Sequence, residues 1–112
     1  MSNTTITTVN SSTAPKGEMG QKYLAAGANV AMRIWQNEQP AEPKPKAARD
    51  YETVGYVIIG TAELHLEDRV LKLAPGDSWV VPQGTPHTYK ITESFTAVEA
   101  TTPPARVDDK DS

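Results

Sequence analysis

Cysteine is absent from this 112-residue chain. Its absence excludes disulfides, thiol nucleophiles, zinc–thiolate sites and iron–sulfur clusters, and it suits a reducing cytoplasm. Histidine is scarce, with only His65 and His87. No apolar run approaches the ~20 residues of a membrane-spanning helix. The opening MSNTTITTVN has neither the basic flank nor the apolar stretch of a secretory leader. A net charge of −3 gives no electrostatic reason to bind nucleic acid or an anionic membrane. Also missing are a phosphate-binding P-loop, a G-x-G-x-x-G turn, a G-x-S-x-G nucleophile elbow and any heptad or longer repeat. The expectation is a single soluble cytoplasmic domain, large enough for a thin core.

What the chain does hold is strand pattern and turn chemistry. NVAMRIWQ (29–36) alternates Val30, Met32 and Ile34 against Ala31, Arg33 and Trp35. QPAEPKPKAARD (39–50) has three prolines and reads as an extended loop or edge. VGYVIIG (54–60) reads as a buried strand stopped by glycine. TAELHLED (61–68) sets Ala62, Leu64 and Leu66 against Glu63, His65 and Glu67, which places His65 toward solvent beside the two carboxylates. RVLKL, SWVV, HTYKI and FTAVEA follow, separated by APGD and PQGTP. Seven or eight short strands between turn signals predict an all-β sandwich or barrel. KYLAAG (22–27) is the one candidate helix, barely two turns long. Residues 1–20 read as a flexible arm, or as a β-branched TTITTV strand exchanged between the two copies of a dimer. Residues 21–104 form the barrel, and 105–112 a disordered acidic tail after Pro103 and Pro104.

The most informative stretch is GDSWVVPQGTPH (76–87). Gly76 and Asp77 suit a tight turn, Pro82 stops a strand, and Gly84 permits a reversal. His87 then opens the next strand, its imidazole aimed by a stiff turn. Tyr89 and Ile91 share its face, because side chains repeat every second residue. Gly76, Pro82, Gly84 and His87 fit the spacing G-x5-P-x-G-x2-H, which resembles the second motif of the cupin superfamily. YETVGYVIIGTAEL resembles the later half of that family's first motif, and APGD (74–77) the approach to its second. The resemblance covers roughly residues 28–104 and implies a small, single-domain, RmlC-like cupin. That fold is a double-stranded β-helix, or jelly-roll barrel, which commonly pairs as a homodimer.

In metal-binding cupins the first motif supplies H-x-H and a Glu or Gln, and the second motif one more histidine. The resemblance carried onto this chain, with Gly60 as anchor, puts the carboxylate position at Thr53. The two histidine positions fall at Ala47 and Arg49, or at Lys46 and Ala48, depending on the loop between Pro45 and Thr53. Of four ligand positions only His87 is retained. A divalent transition metal would then need displaced donors, with Glu52 as helper if a bulge near Tyr51 turned it inward; Asp50 and Glu99 are other carboxylates within reach of the argument. The cations Lys44, Lys46 and Arg49 occupy the segment of the lost histidines. They are either a solvated edge that resists strand-to-strand aggregation or an anion site standing where the metal would be.

Strand parity and the family pattern nominate His87, Tyr89, Trp79, Thr53, Val57, Met32 and Glu99 as pocket residues. Ile59 shares the face of Thr53 and Val57. Phe95, Ala97 and Glu99 share one face of the last strand, which parity alone does not orient. Three functions follow: a barrel that binds a small organic ligand beside a degenerate, one-histidine metal site; a metal-dependent isomerase, dioxygenase or sugar-converting enzyme; or an interaction protein with a filled core. The first is favoured, with His87 either a hydrogen-bonded relic in a mostly apolar cavity or a metal-free ligand-binding or acid–base group. The sequence gives no catalytic residue.

Overall fold

The computed structural model describes residues 6–105. The outermost residues of the N-terminal arm, 1–5, and of the acidic tail, 106–112, lie outside the described residues. Among the described residues there are six strands and no helix: β1 (Lys22–Ala26), β2 (Ala31–Glu38), β3 (Glu52–His65), β4 (Val70–Leu73), β5 (Ser78–Val81) and β6 (Thr88–Thr102). All pairings are antiparallel, in the order β1-β2-β6-β3-β4, with β5 also on β3. The architecture is the all-β jelly-roll barrel of the expected class. KYLAAG is strand β1 rather than a helix, with Lys22 opposite Ile34 and Tyr23 opposite Arg33. Two helical turns nucleate poorly in isolation, and the open edge of β2 offers the same segment a ladder of backbone bonds.

Strands β3 and β6 each run through a break expected from the sequence. VGYVIIG and TAELHLED form one strand of 14 residues, HTYKI and FTAVEA one of 15. The break survives as a bend. Gly60 takes φ 85°, and a Cβ there would lie 1.9 Å from the Ser94 carbonyl oxygen, so only glycine fits without moving backbone. Register shifts cluster between Val57 and Ala62, which switches the inward parity. Val57 is fully buried before the bend, while Ala62 and Leu64 are buried after it. Ile59, expected to share the inward face of Val57, is turned outward and is 58% exposed.

The bend also lets one long strand serve two short ones. The first half of β3 pairs with β5 (Thr53↔Val81 to Tyr56↔Ser78), and the second half with β4 (Ala62↔Leu73 to His65↔Val70). Between them lies the core of Val57, Ala62, Leu64, Leu73, Trp79, Val81, Phe95 and Ala97. Tyr89 and Ile91 pack against its edge, where the barrel opens. On the outside, Met32, Ala100, Val54 and Val80 stand opposite one another across β2, β6, β3 and β5, forming an apolar row.

Candidate functional site

The turn chemistry of residues 74–87 builds one wall of a cavity. Asp77 closes the first turn by accepting the Ala74 N–H at its carboxylate (2.9 Å) while its own N–H donates to the Ala74 carbonyl (2.9 Å). At the second turn Gly84 takes φ 81° and donates to the Arg49 carbonyl at 2.9 Å. His87 and Ala47 exchange two backbone bonds of 3.0 and 3.1 Å. The proline-rich segment is thus fastened beside His87, and its register is set. Ala47 and Arg49 border the cavity, whereas Lys46 and Ala48 do not. Of the candidate positions for the family's histidines, the two that border the cavity carry a methyl group and a guanidinium.

His87 is oriented by a 2.8 Å bond from Nδ1 to the Thr85 carbonyl. A carbonyl can only accept, so Nδ1 carries the proton, and in the neutral ring Nε2 keeps its lone pair. The imidazole meets Tyr89 edge-on at 5.5 Å between centroids. The Tyr89 hydroxyl in turn accepts the Trp79 indole N–H at 3.1 Å. Trp79 lies directly over Gly55, its cross-strand partner; a Cβ at Gly55 would come within 2.4 Å of the indole. This glycine makes the recess that the tryptophan fills. Burial pushes the Tyr89 phenol far above its ordinary ionisation range, and the negative charge of Glu99 pushes the same way.

The opposite wall comes from β2 and β6. The Arg33 Nε donates to Glu99 Oε1 at 2.6 Å, and the Trp35 indole N–H donates to the same oxygen at 2.9 Å. Arg33 also donates to the Tyr51 hydroxyl at 3.1 Å, and its guanidinium lies 5.6 Å from the Trp35 ring centre and 5.3 Å from that of Tyr51. Arg33 and Glu99 are 6% and 2% exposed. A buried charge with a partner and hydrogen bonds on both sides is the tolerable form of buried charge. No buried side-chain nitrogen or oxygen lacks a partner among the described residues.

Between these walls is a cavity of about 290 Å³. Its sides are largely aromatic: Trp35, Tyr51, Trp79, Tyr89 and Phe95, with His87 and the Arg33–Glu99 pair as polar handles. Met19, Glu38, Glu42 and Lys44 also border it. Glu38 is half-buried, and desolvation raises its carboxyl pKa against the opposing charges of Lys16 and Lys44.

Of the residues nominated from sequence, the structure brings His87, Tyr89, Trp79 and Glu99 together around this cavity. It does not bring the other three. Thr53 is buried between Val81 and Thr101, Val57 belongs to the core, and Met32 is 42% exposed on the outer face. Within β2 Ala31, Arg33 and Ile34 are buried, and it is Arg33 and Trp35 that line the cavity, whereas Met32 does not. Arg33, Trp35 and Tyr51 were accordingly missed. The signal was the alternation itself, in which a single strand carries an arginine and a tryptophan on one face. Asp50 is exposed, and Glu52 faces outward from unbroken strand pairing, opposite Thr102. His65 sits on the outside, as its parity suggests, and donates to Glu63 at 2.9 Å. That bond holds the Glu63 carboxyl below its ordinary range.

The donors present do not fit a transition-metal ion. Among the described residues no three His, Asp or Glu side chains converge. His87 is one imidazole, Arg49 brings a positive charge to the same rim, and Glu99 is already committed to Arg33 and Trp35. Such ions require several neutral or anionic donors in one shell.

Comparison with known proteins agrees with the fold. The solved structures it resembles include KdgF from Halomonas sp. (24% identity; 80% of this chain and 82% of that one; TM-score 0.68). An RmlC-like cupin from Shewanella frigidimarina NCIMB 400 superposes over 93% of this chain and 96% of its own, with TM-score 0.76 at 18% identity. A cupin superfamily protein from Desulfitobacterium hafniense DCB-2 gives TM-score 0.65 at 20% identity, over 73% and 74% of the two chains. A search of curated proteins finds no significant match. The cupin domain family model matches residues 35–101, more than half of the chain and both motif regions, and the chain therefore belongs to the cupin family.

Proposed function

We propose that this protein binds a small organic ligand inside its barrel, without a transition metal, as a cytoplasmic homodimer. The observation that carries this reading is the cavity of about 290 Å³ with aromatic walls and a few fixed polar groups. That is the usual make-up of a small-molecule site. His87 supplies a hydrogen-bond acceptor at Nε2, suited to a ligand hydroxyl or amine. The Arg33–Glu99 pair supplies a rigid polar wall. The reading is of binding, as in sensing or sequestration, rather than of a defined reaction.

Both tryptophans of the chain, Trp35 and Trp79, border the cavity. Their indole N–H resonances therefore report on it without labels. Titration with small aromatic and aliphatic compounds is expected to move both resonances saturably. Compounds that melt into no saturable shift at either indole, across acids, amides and alcohols alike, would contradict the reading.

A further inference from the structure

The charges around the cavity do not all cancel locally. Arg33 is answered by Glu99. Glu38 is answered by Lys16 and Lys44. Glu42 and Lys44 are exposed at the rim, where water screens them. Arg49 is different. It is half-buried at the cavity wall, and among the described residues no carboxylate lies within ion-pairing distance of it. Among the described residues its side-chain hydrogen bond is from Nη2 to the Met19 sulfur at 3.6 Å. A thioether is a weak acceptor and does not neutralise a guanidinium.

Arg49 is also held in place. Its carbonyl accepts the Gly84 N–H, and Ala47, two residues earlier, is bonded twice to His87. The cation is thus carried by backbone fastened to the same turn that aims the imidazole. A positioned, partly desolvated guanidinium with no protein anion has its fork available for an anion from outside.

We propose that the ligand of this cavity bears a carboxylate, which pairs with Arg49 while the aromatic walls hold its apolar body. The inference rests on the reading of the cavity as a ligand site and names the chemical class it takes. A planar carboxylate matches one guanidinium by two parallel bonds. The aromatic walls favour a flat or ring-containing body. The Arg33–Glu99 pair contributes no net charge, so Arg49 decides between an acid and its neutral counterpart.

The test uses matched pairs that differ in charge and little in shape: benzoate with benzamide, phenylacetate with phenylacetamide, and mandelate with mandelamide. Affinities are read from the Trp35 and Trp79 indole resonances. The best acid is expected to bind about tenfold or more tightly than its amide, as a charge-assisted pair replaces a neutral contact. Arg49→Gln removes that preference while amide affinity stays within about twofold. Arg49→Lys, which keeps the charge and loses the fork, retains part of it. Equal affinity for acid and amide, or an acid preference that persists in Arg49→Gln, overturns the carboxylate assignment and leaves the ligand cavity standing. Inorganic phosphate that displaces the acids at equal concentration also overturns it. Indole resonances that respond to no member of any pair overturn both readings together.

Discussion

At the scale of single residues, one wall of the cavity depends on the buried Arg33–Glu99 pair. Strand parity leaves the face of Glu99 open, and sets Arg33 with Ala31 and Trp35 against Val30, Met32 and Ile34. The structure joins Arg33 and Glu99 at 2.6 Å and closes the second side of the carboxylate with the Trp35 indole. Removing one partner of such a pair strands the other charge in a poorly solvated place, at a cost of about 3–5 kcal/mol. Glu99→Gln and Arg33→Met are each expected to lose about that much in urea denaturation. The double variant Arg33→Met/Glu99→Met is expected to recover most of it, because no unpaired charge remains. Single variants that each cost less than about 1 kcal/mol would mean that water reaches the pair and that it is no rigid wall.

At the scale of strands, the sequence made the fold legible and the cavity only half so. Turn residues could be read because their chemistry is local: Asp77 bonds back to Ala74, and Gly84 reverses the chain before His87. Strand existence was legible from alternation. Strand continuity was not, because Gly60 bends β3 without ending it. The parity switch at that bend is why Ile59 points out. The side of β2 that lines the cavity was hidden because a charged and an aromatic side chain, Arg33 and Trp35, face it while the apolar Met32 does not. Met32 obeys a different neighbour. Met32, Val54 and Val80 are 42%, 49% and 52% exposed and stand in one row, joined by Ala100, across four strands. Scattered exposed apolar residues are ordinary, but a contiguous patch signals an interface. The expectation is a homodimer that covers this row. Val54→Lys/Val80→Lys is expected to convert it to monomer in sedimentation equilibrium, with the barrel still folded. A wild-type protein that is monomeric at tens of micromolar would contradict this.

At the scale of the whole molecule, a cupin barrel carries the turn that aims His87 without the other donors that metal-binding cupins use. Carried over from the family resemblance, the two histidine positions fall at Ala47 and Arg49 or at Lys46 and Ala48, and the carboxylate position at Thr53, and none of these is such a ligand. The structure offers a consistent alternative: a His87 imidazole fixed by Thr85, a guanidinium on the same rim and aromatic walls around about 290 Å³. The central claim, an organic-ligand barrel in place of a metal centre, is tested most directly by the metal content of tag-free protein. Inductively coupled plasma mass spectrometry would be run on wild type and His87→Ala, before and after incubation with Mn, Fe, Ni, Cu and Zn and removal of excess ion. Far less than one equivalent of every metal in both proteins is the predicted result. Near-stoichiometric metal in wild type that is lost in His87→Ala would contradict the account.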